Sequence, residues 1–156
     1  MKKTIVTVLI FITAALHWSA AQNQPYLPGE KVNYQIRYGI VGSGIATLEL
    51  KEGYYQGEKI WHAVISGQTT GIADALYKVR DTYESYIDPK SDLPVFSVRN
   101  IQEGRYRKYN EVGFDHRTRK DSTLVFSDLT GNHTGPQGLL DIVSCFYWFR
   151  KYYLSS

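Results

Sequence analysis

The stretch ALYKVRDTYESYID, residues 75–88, decides the fold of this 156-residue chain. Its side chains alternate with a period of two, the signature of a β-strand. Successive strand residues point to opposite sides, so Tyr77, Val79, Asp81, Tyr83 and Ile87 share one face and Arg80 points to the other. Asp81 and Arg80 are therefore neighbours in sequence but not an ion pair within the strand. A carboxylate on an apolar, aromatic face needs a partner, because a buried unpaired charge is strongly unfavourable. Arg99 is the expected partner, since DPKSDLP (88–94) has the turn residues of a hairpin loop and would fold the next strand alongside.

The same alternation extends in both directions. In KVNYQIRY (31–38) Val32, Tyr34, Ile36 and Tyr38 share a face, and the glycine-rich GIVGSG (39–44) suits a turn or bulge. Ala46, Leu48 and Leu50 align in the following segment. KIWHAVISGQTT (59–70) carries apolar residues on both sides, which predicts a central strand covered on each face. GIADALY (71–77) is long enough for one or two helical turns. Beyond the opening stretch, PVFSVRNIQEG, RKYNEVGFD and DSTLVFSD predict three further strands. In LLDIVSCFYWFRKYY (139–153), Leu139, Ile142, Val143, Phe146 and Phe149 or Arg150 recur at helical spacing. The predicted fold is mainly β: six or seven antiparallel strands in a meander, forming a curved sheet or partial barrel, with one late apolar helix packed on it.

Residues 1–21 have the organisation of a secretory signal peptide. Lys2 and Lys3 precede an apolar run to Leu16, and Ser19 and Ala21 supply the small residues of a cleavage site. The run is shorter than the ~20 residues of a spanning helix. The expected product is a periplasmic protein with a single β-rich domain over residues 22–156. Losing Lys2 and Lys3 leaves 16 basic against 15 acidic residues, with no basic block to bind nucleic acid. Cys145 is the sole cysteine, so the core rather than a disulfide must hold the chain together. The 13 tyrosines suit strands with one wetted face.

Catalytic and metal motifs are sparse. His62, His116 and His133 show no metal-ligand spacing, and no cofactor is expected. There is no GxSxG or SxxK element, and Cys145 sits in the apolar helix as a packing residue. The NHT sequon at 132–134 is expected to be idle in a bacterial export context. Asp74, Asp81, Glu84 and Asp88 cluster in the opening stretch, with Glu103 and Asp141 further on. Two suitably spaced carboxylates can hydrolyse glycosides, which makes Asp81 with Glu103 or Glu84 an alternative to a structural pair. Alternation, however, places Asp81 and Glu84 on opposite faces.

A set of residues in order also resembles the bacterial envelope family known as domain of unknown function 3108. These are Gly29 and Glu30, Gly42 and Gly44, Arg80 and Asp81, Asp88, Glu103 and Gly104, then Asp141, Ser144 and Tyr147 in a D-x-x-S-x-x-Y motif. The resemblance spans residues 28–153. It implies that full-length members continue beyond the helix, so the chain is expected to be truncated there. It implies no particular activity.

The expected function is non-enzymatic: binding an apolar or amphipathic envelope ligand, such as a lipid, an acyl chain or a polymer, on the concave sheet. Tyr77, Asp81, Tyr83, Arg99 and Tyr147 are the candidate ligand-binding residues. The alternatives are the carbohydrate-active hydrolase above, or an envelope scaffold that takes up a protein partner at an open sheet edge.

Overall fold

Eight antiparallel strands follow one another, each hydrogen-bonded to the one before it. The computed structural model describes residues 25–39 and 41–155; the segment read as a signal peptide lies outside them. The strands are β1 (Lys31–Tyr38), β2 (Val41–Tyr55), β3 (Glu58–Thr69), β4 (Arg80–Ile87), β5 (Pro94–Glu103), β6 (Tyr106–Asp115), β7 (Ser122–Ser127) and β8 (Gly131–Pro136). Helix α1 (Gly71–Leu76) links β3 to β4, and helix α2 (Ile142–Ser155) follows β8. The meander stays open, with β1 and β8 as its edges.

The eighth strand corrects the expected six or seven. Residues 131–136, GNHTGP, carry no apolar alternation, yet they pair with β7 from Ser127↔Gly131 to Ser122↔Pro136. An edge strand needs backbone groups for its neighbour more than side chains for a core. Glycine-rich composition therefore does not forbid it. The glycine-rich GIVGSG becomes a bulge, where the β1–β2 register shifts between Ile36 and Arg37. Gly44 is required there: a Cβ on it would stand 2.8 Å from the carbonyl oxygen of Gln68 on the neighbouring strand.

Register sorts side chains into two faces. On the inner face, Leu48, Ile65 and Tyr83 lie in one row, and Leu50, Ala63 and Ser85 in the next. Helix α2 packs against β3 and β4. Leu48, Leu50, Ala63 and Ile87 from the sheet form one core with Tyr26, Val143 and Tyr147. The Tyr26 ring meets Trp61 and Tyr147 edge-on, at 5.5 and 5.0 Å between centroids. On the outer face, His62, Tyr86, Tyr55 and Phe96 form a second stack, so β3 is covered on both sides as expected.

Helix α2 buries a different stripe from the one its hydropathy suggests. Val143, Ser144 and Tyr147 face the sheet, whereas Ile142 is 66% and Phe149 60% exposed, and Phe146 and Trp148 are also exposed. Charged residues continue the sheet-facing side towards solvent: the partly buried Arg150 pairs with Glu30, and the exposed Lys151 with Asp92. Anchors of this kind do not register in an apolar pattern. Cys145 is exposed, not a packing residue; Ser144 is the small residue that permits close approach.

The start of α2 explains the D-x-x-S-x-x-Y motif. Asp141 Oδ1 accepts the amide hydrogens of Val143 and Ser144 at 2.7 and 2.9 Å, and the amide of Asp141 donates to Ser144 Oγ at 3.0 Å. This reciprocal arrangement is a capping box, which satisfies amides left unpaired at a helix start. The third member, Tyr147, is the core residue one turn on, 1% exposed.

Candidate functional site

The rows of the inner face place Tyr83 of β4, Arg99 of β5 and Asn110 of β6 side by side, through the pairs Tyr83↔Arg99 and Arg99↔Asn110. The adjacent row holds Ser85, Ser97 and Val112. Ser85 and Ser97 are small, and the first turn of α2 settles over this part of the sheet. Ser85 Oγ donates to Asp141 Oδ2 at 2.6 Å. Between helix and sheet lies a groove of about 260 Å³, lined by Tyr83, Arg99, Asn110 and Val112 with Phe114, Leu140 and Ile142. Apolar and aromatic walls around a few polar groups are the usual make-up of a small-molecule site.

Asn110 is held firmly. Its amide nitrogen donates to Asp128 Oδ1 and to Ser127 Oγ at 3.2 Å. Its carbonyl oxygen is left to accept from Arg99 Nη2 at 3.4 Å. Asp141, at the helix end of the groove, has both carboxylate oxygens engaged. Burial nevertheless raises its pKa, and the hydrogen bonds from Ser85 and the helix start oppose that rise only in part.

Of the five residues expected to bind ligand, the groove brings together Tyr83 and Arg99. Asp81 is on the same face but forms no ion pair with Arg99, a correction to the expected pairing. The β4–β5 ladder begins only at Thr82↔Asn100. The amide of Gln102 beyond it donates instead to Asp81 Oδ1 at 2.9 Å. Arg80 points the other way, as expected, and pairs with Asp74 of α1 at 2.7 Å. Tyr77 stands exposed at the end of α1, its ring over the turn at Gly104. Tyr147 is sealed in the core, where burial, more than the nearby Glu30, pushes its hydroxyl up to about 12.

The carboxylates of the hydrolase alternative do not all converge. Glu84 is on the outer face, its carboxylate 2.7 Å from His62 Nε2. Asp81 and Glu103 share the inner face, but Asp81 is occupied by the Gln102 amide. Among the described residues no group of three His, Cys, Asp or Glu side chains could hold a metal ion, and no helix is long and apolar enough to cross a membrane.

Asn110, Val112, Phe114, Leu140 and Ile142 were not expected at the site. Alternation in RKYNEVGFD does put Asn110, Val112 and Phe114 on one face. What it lacks is any sign that the helix start would roof that face.

A family model described as "Protein of unknown function (DUF3108)" matches residues 33–156. No curated protein and no solved structure matches the chain.

Proposed function

We propose, for a chain that belongs to the DUF3108 family, a binding role rather than a chemical one: an exported periplasmic protein that takes up an apolar or amphipathic envelope ligand in the groove beneath the start of α2. The observation that carries this reading is the groove itself, apolar-walled and about 260 Å³ in volume. That is close to the lower end of the ~300–1,000 Å³ range of small-molecule sites, so one short hydrocarbon or aromatic group fits better than a whole lipid.

Fluorescence titration with the neutral apolar dye N-phenyl-1-naphthylamine tests it. Ile142 lines the groove yet is largely exposed, so Ile142→Glu should leave the melting temperature unchanged. That substitution should weaken dye binding about tenfold, the expected effect of a charge that the bound dye would have to shield from water. Phe149→Ser, on the exposed side of α2, should leave binding unaltered. Absence of dye binding, or loss only in Phe149→Ser, would sink the reading.

A scaffold role at a sheet edge has its own support in the free edges of β1 and β8. Capture of a strand-forming peptide that survives high salt would favour it.

A further inference from the structure

We infer that the groove selects amphiphiles with an anionic head group, carboxylate or phosphate, held by Arg99; this rests on the binding role proposed above. Arg99 stands in the middle of the Tyr83–Arg99–Asn110 row and is partly buried. Its Nε is enclosed and has no hydrogen-bond partner among the described residues. Its guanidinium meets the neutral Asn110 oxygen at 3.4 Å, and among the described residues no carboxylate forms an ion pair with it.

The contrast with other arginines of this chain is direct. The other two partly buried arginines each have a carboxylate, Arg80 that of Asp74 and Arg150 that of Glu30. A guanidinium offers five N–H donors, and shielding it from water without a counter-charge is unfavourable. An incoming anion supplies that counter-charge, and the planar fork of arginine fits carboxylate and phosphate in two-pronged contact. Asn110 fixes the direction, since its own donors are committed to Asp128 and Ser127.

The remaining walls define the other end of the ligand. Tyr83, Val112, Phe114, Leu140 and Ile142 offer hydrocarbon and ring surface. Of the two carboxylate residues in the lining, Glu84 turns its side chain to His62 on the outer face, and Asp141 has its oxygens taken up by Ser85 Oγ and the amides of Val143 and Ser144. It is turned to the helix start and not to an incoming head group. A cation at one side and a greasy wall at the other is the recognition pattern of a singly charged amphiphile.

Decanoate, decyl phosphate and decanol share a ten-carbon chain and differ in head group. Each is titrated below its micelle concentration against protein carrying N-phenyl-1-naphthylamine. The anions should displace the dye about tenfold or more better than decanol, the ratio expected from charge-assisted hydrogen bonds in a shielded site. Whichever anion competes better identifies the head group. In Arg99→Gln the advantage should vanish while decanol competes as before, and Arg99→Lys should retain part of it. Equal competition by all three on the unaltered protein overturns the inference and leaves the binding role standing. So does an anion preference that persists in a folded Arg99→Gln. Failure of the protein to take up dye at all overturns both.

Discussion

Ser85 Oγ, wholly buried at the centre of the sheet, donates a 2.6 Å hydrogen bond to Asp141 Oδ2, while Oδ1 of the same carboxylate caps the helix. One side chain thus starts α2 and fixes where it lands. The landing point sets the wall of the groove, because Leu140, Asp141 and Ile142 are its helix side. Sequence acts here through a cap, then through packing, and finally through the shape of the site.

Asp141→Ala should therefore destabilise the protein by about 2–4 kcal/mol: about 1 for the lost cap and about 1–3 for the hydroxyl of Ser85 left buried and unpaired. Ser85→Ala should cost less, about 1 kcal/mol, because the cap survives. Urea unfolding measures both. The pH dependence has an unusual sign. Burial raises the folded pKa of Asp141, so the folded state holds this proton more tightly than the unfolded one. Its contribution is fully present below the ordinary carboxylate value and is lost as pH rises through the folded value. The stability advantage of the native protein over Asp141→Asn should thus be larger at pH 3 than at pH 7. A difference that grows with pH would contradict the raised value.

Gly44 and Gly67 separate close approach from mere flexibility. A Cβ on Gly44 would lie 2.8 Å from the backbone oxygen of Gln68, while one on Gly67 meets nothing within 4 Å. Gly44→Ala must push β2 and β3 apart, and overpacking of this kind costs about 1–3 kcal/mol. Gly67→Ala should be neutral or stabilising by up to about 1 kcal/mol, since alanine restricts the unfolded chain. Thermal unfolding of the two variants side by side decides it, and equal effects would refute the account.

The fold was largely legible, and the site only in part. Alternation exposed the strands because the central inner-face rows bury Leu48, Leu50, Ala63 and Ile87, and it assigned Asp81 and Tyr83 to one face correctly. It missed β8, whose residues serve the β7 ladder through their backbone. The D-x-x-S-x-x-Y motif was visible, but its meaning required the helix: a capping box followed by a core tyrosine, not a ligand contact. Tyr83 and Arg99 are among the five side chains the sequence offers as ligand contacts; Phe114 and Ile142 are not, because nothing local to either segment says that a helix start and β6 will line one groove. The Asp81–Arg99 pairing failed because the β4–β5 register sets Arg99 opposite Tyr83 and leaves Asp81 just beyond the first pair, where its carboxylate takes up the amide of Gln102.

Asp115 organises the β6–β7 turn and should dominate the local acid response. Its carboxylate accepts the Thr118 hydroxyl at 2.5 Å and the amides of Arg117 and Thr118 at 2.8 and 3.0 Å. These bonds, the Thr118 hydroxyl first, hold its pKa down at about 2. The stabilisation is present above the unfolded value near 4 and disappears as pH falls towards about 2. Asp115→Asn should lower the melting temperature at pH 6 and make little difference at pH 2. Parallel curves for the two proteins across that range would count against it.

Arg150 ties the end of α2 to the chain segment ahead of β1. Its guanidinium engages both oxygens of Glu30, with Nη2 at 3.0 Å from Oε2, and Nη2 also donates to the carbonyl of Pro25 at 3.1 Å. The same group lies 5.7 Å from the centre of the Tyr147 ring. Glu30 in turn accepts the Leu50 amide through its backbone oxygen, and the Gly29 amide donates to the Leu50 carbonyl. About a quarter of each charged side chain is exposed, 27% and 24%, so solvent screens the pair only partly. Arg150→Met keeps the stem against Tyr147 and removes the fork, and should cost about 1–2 kcal/mol. Arg150→Lys should recover little, since a point charge cannot grip both oxygens and a carbonyl together. A double-mutant cycle with Glu30→Gln should return a coupling of about 1 kcal/mol. Amide exchange at Gly29 and Leu50 should accelerate in Arg150→Met while Val112 on β6 stays protected. Loss spread evenly over the sheet would mean that Arg150 supports the whole fold and not this one clasp.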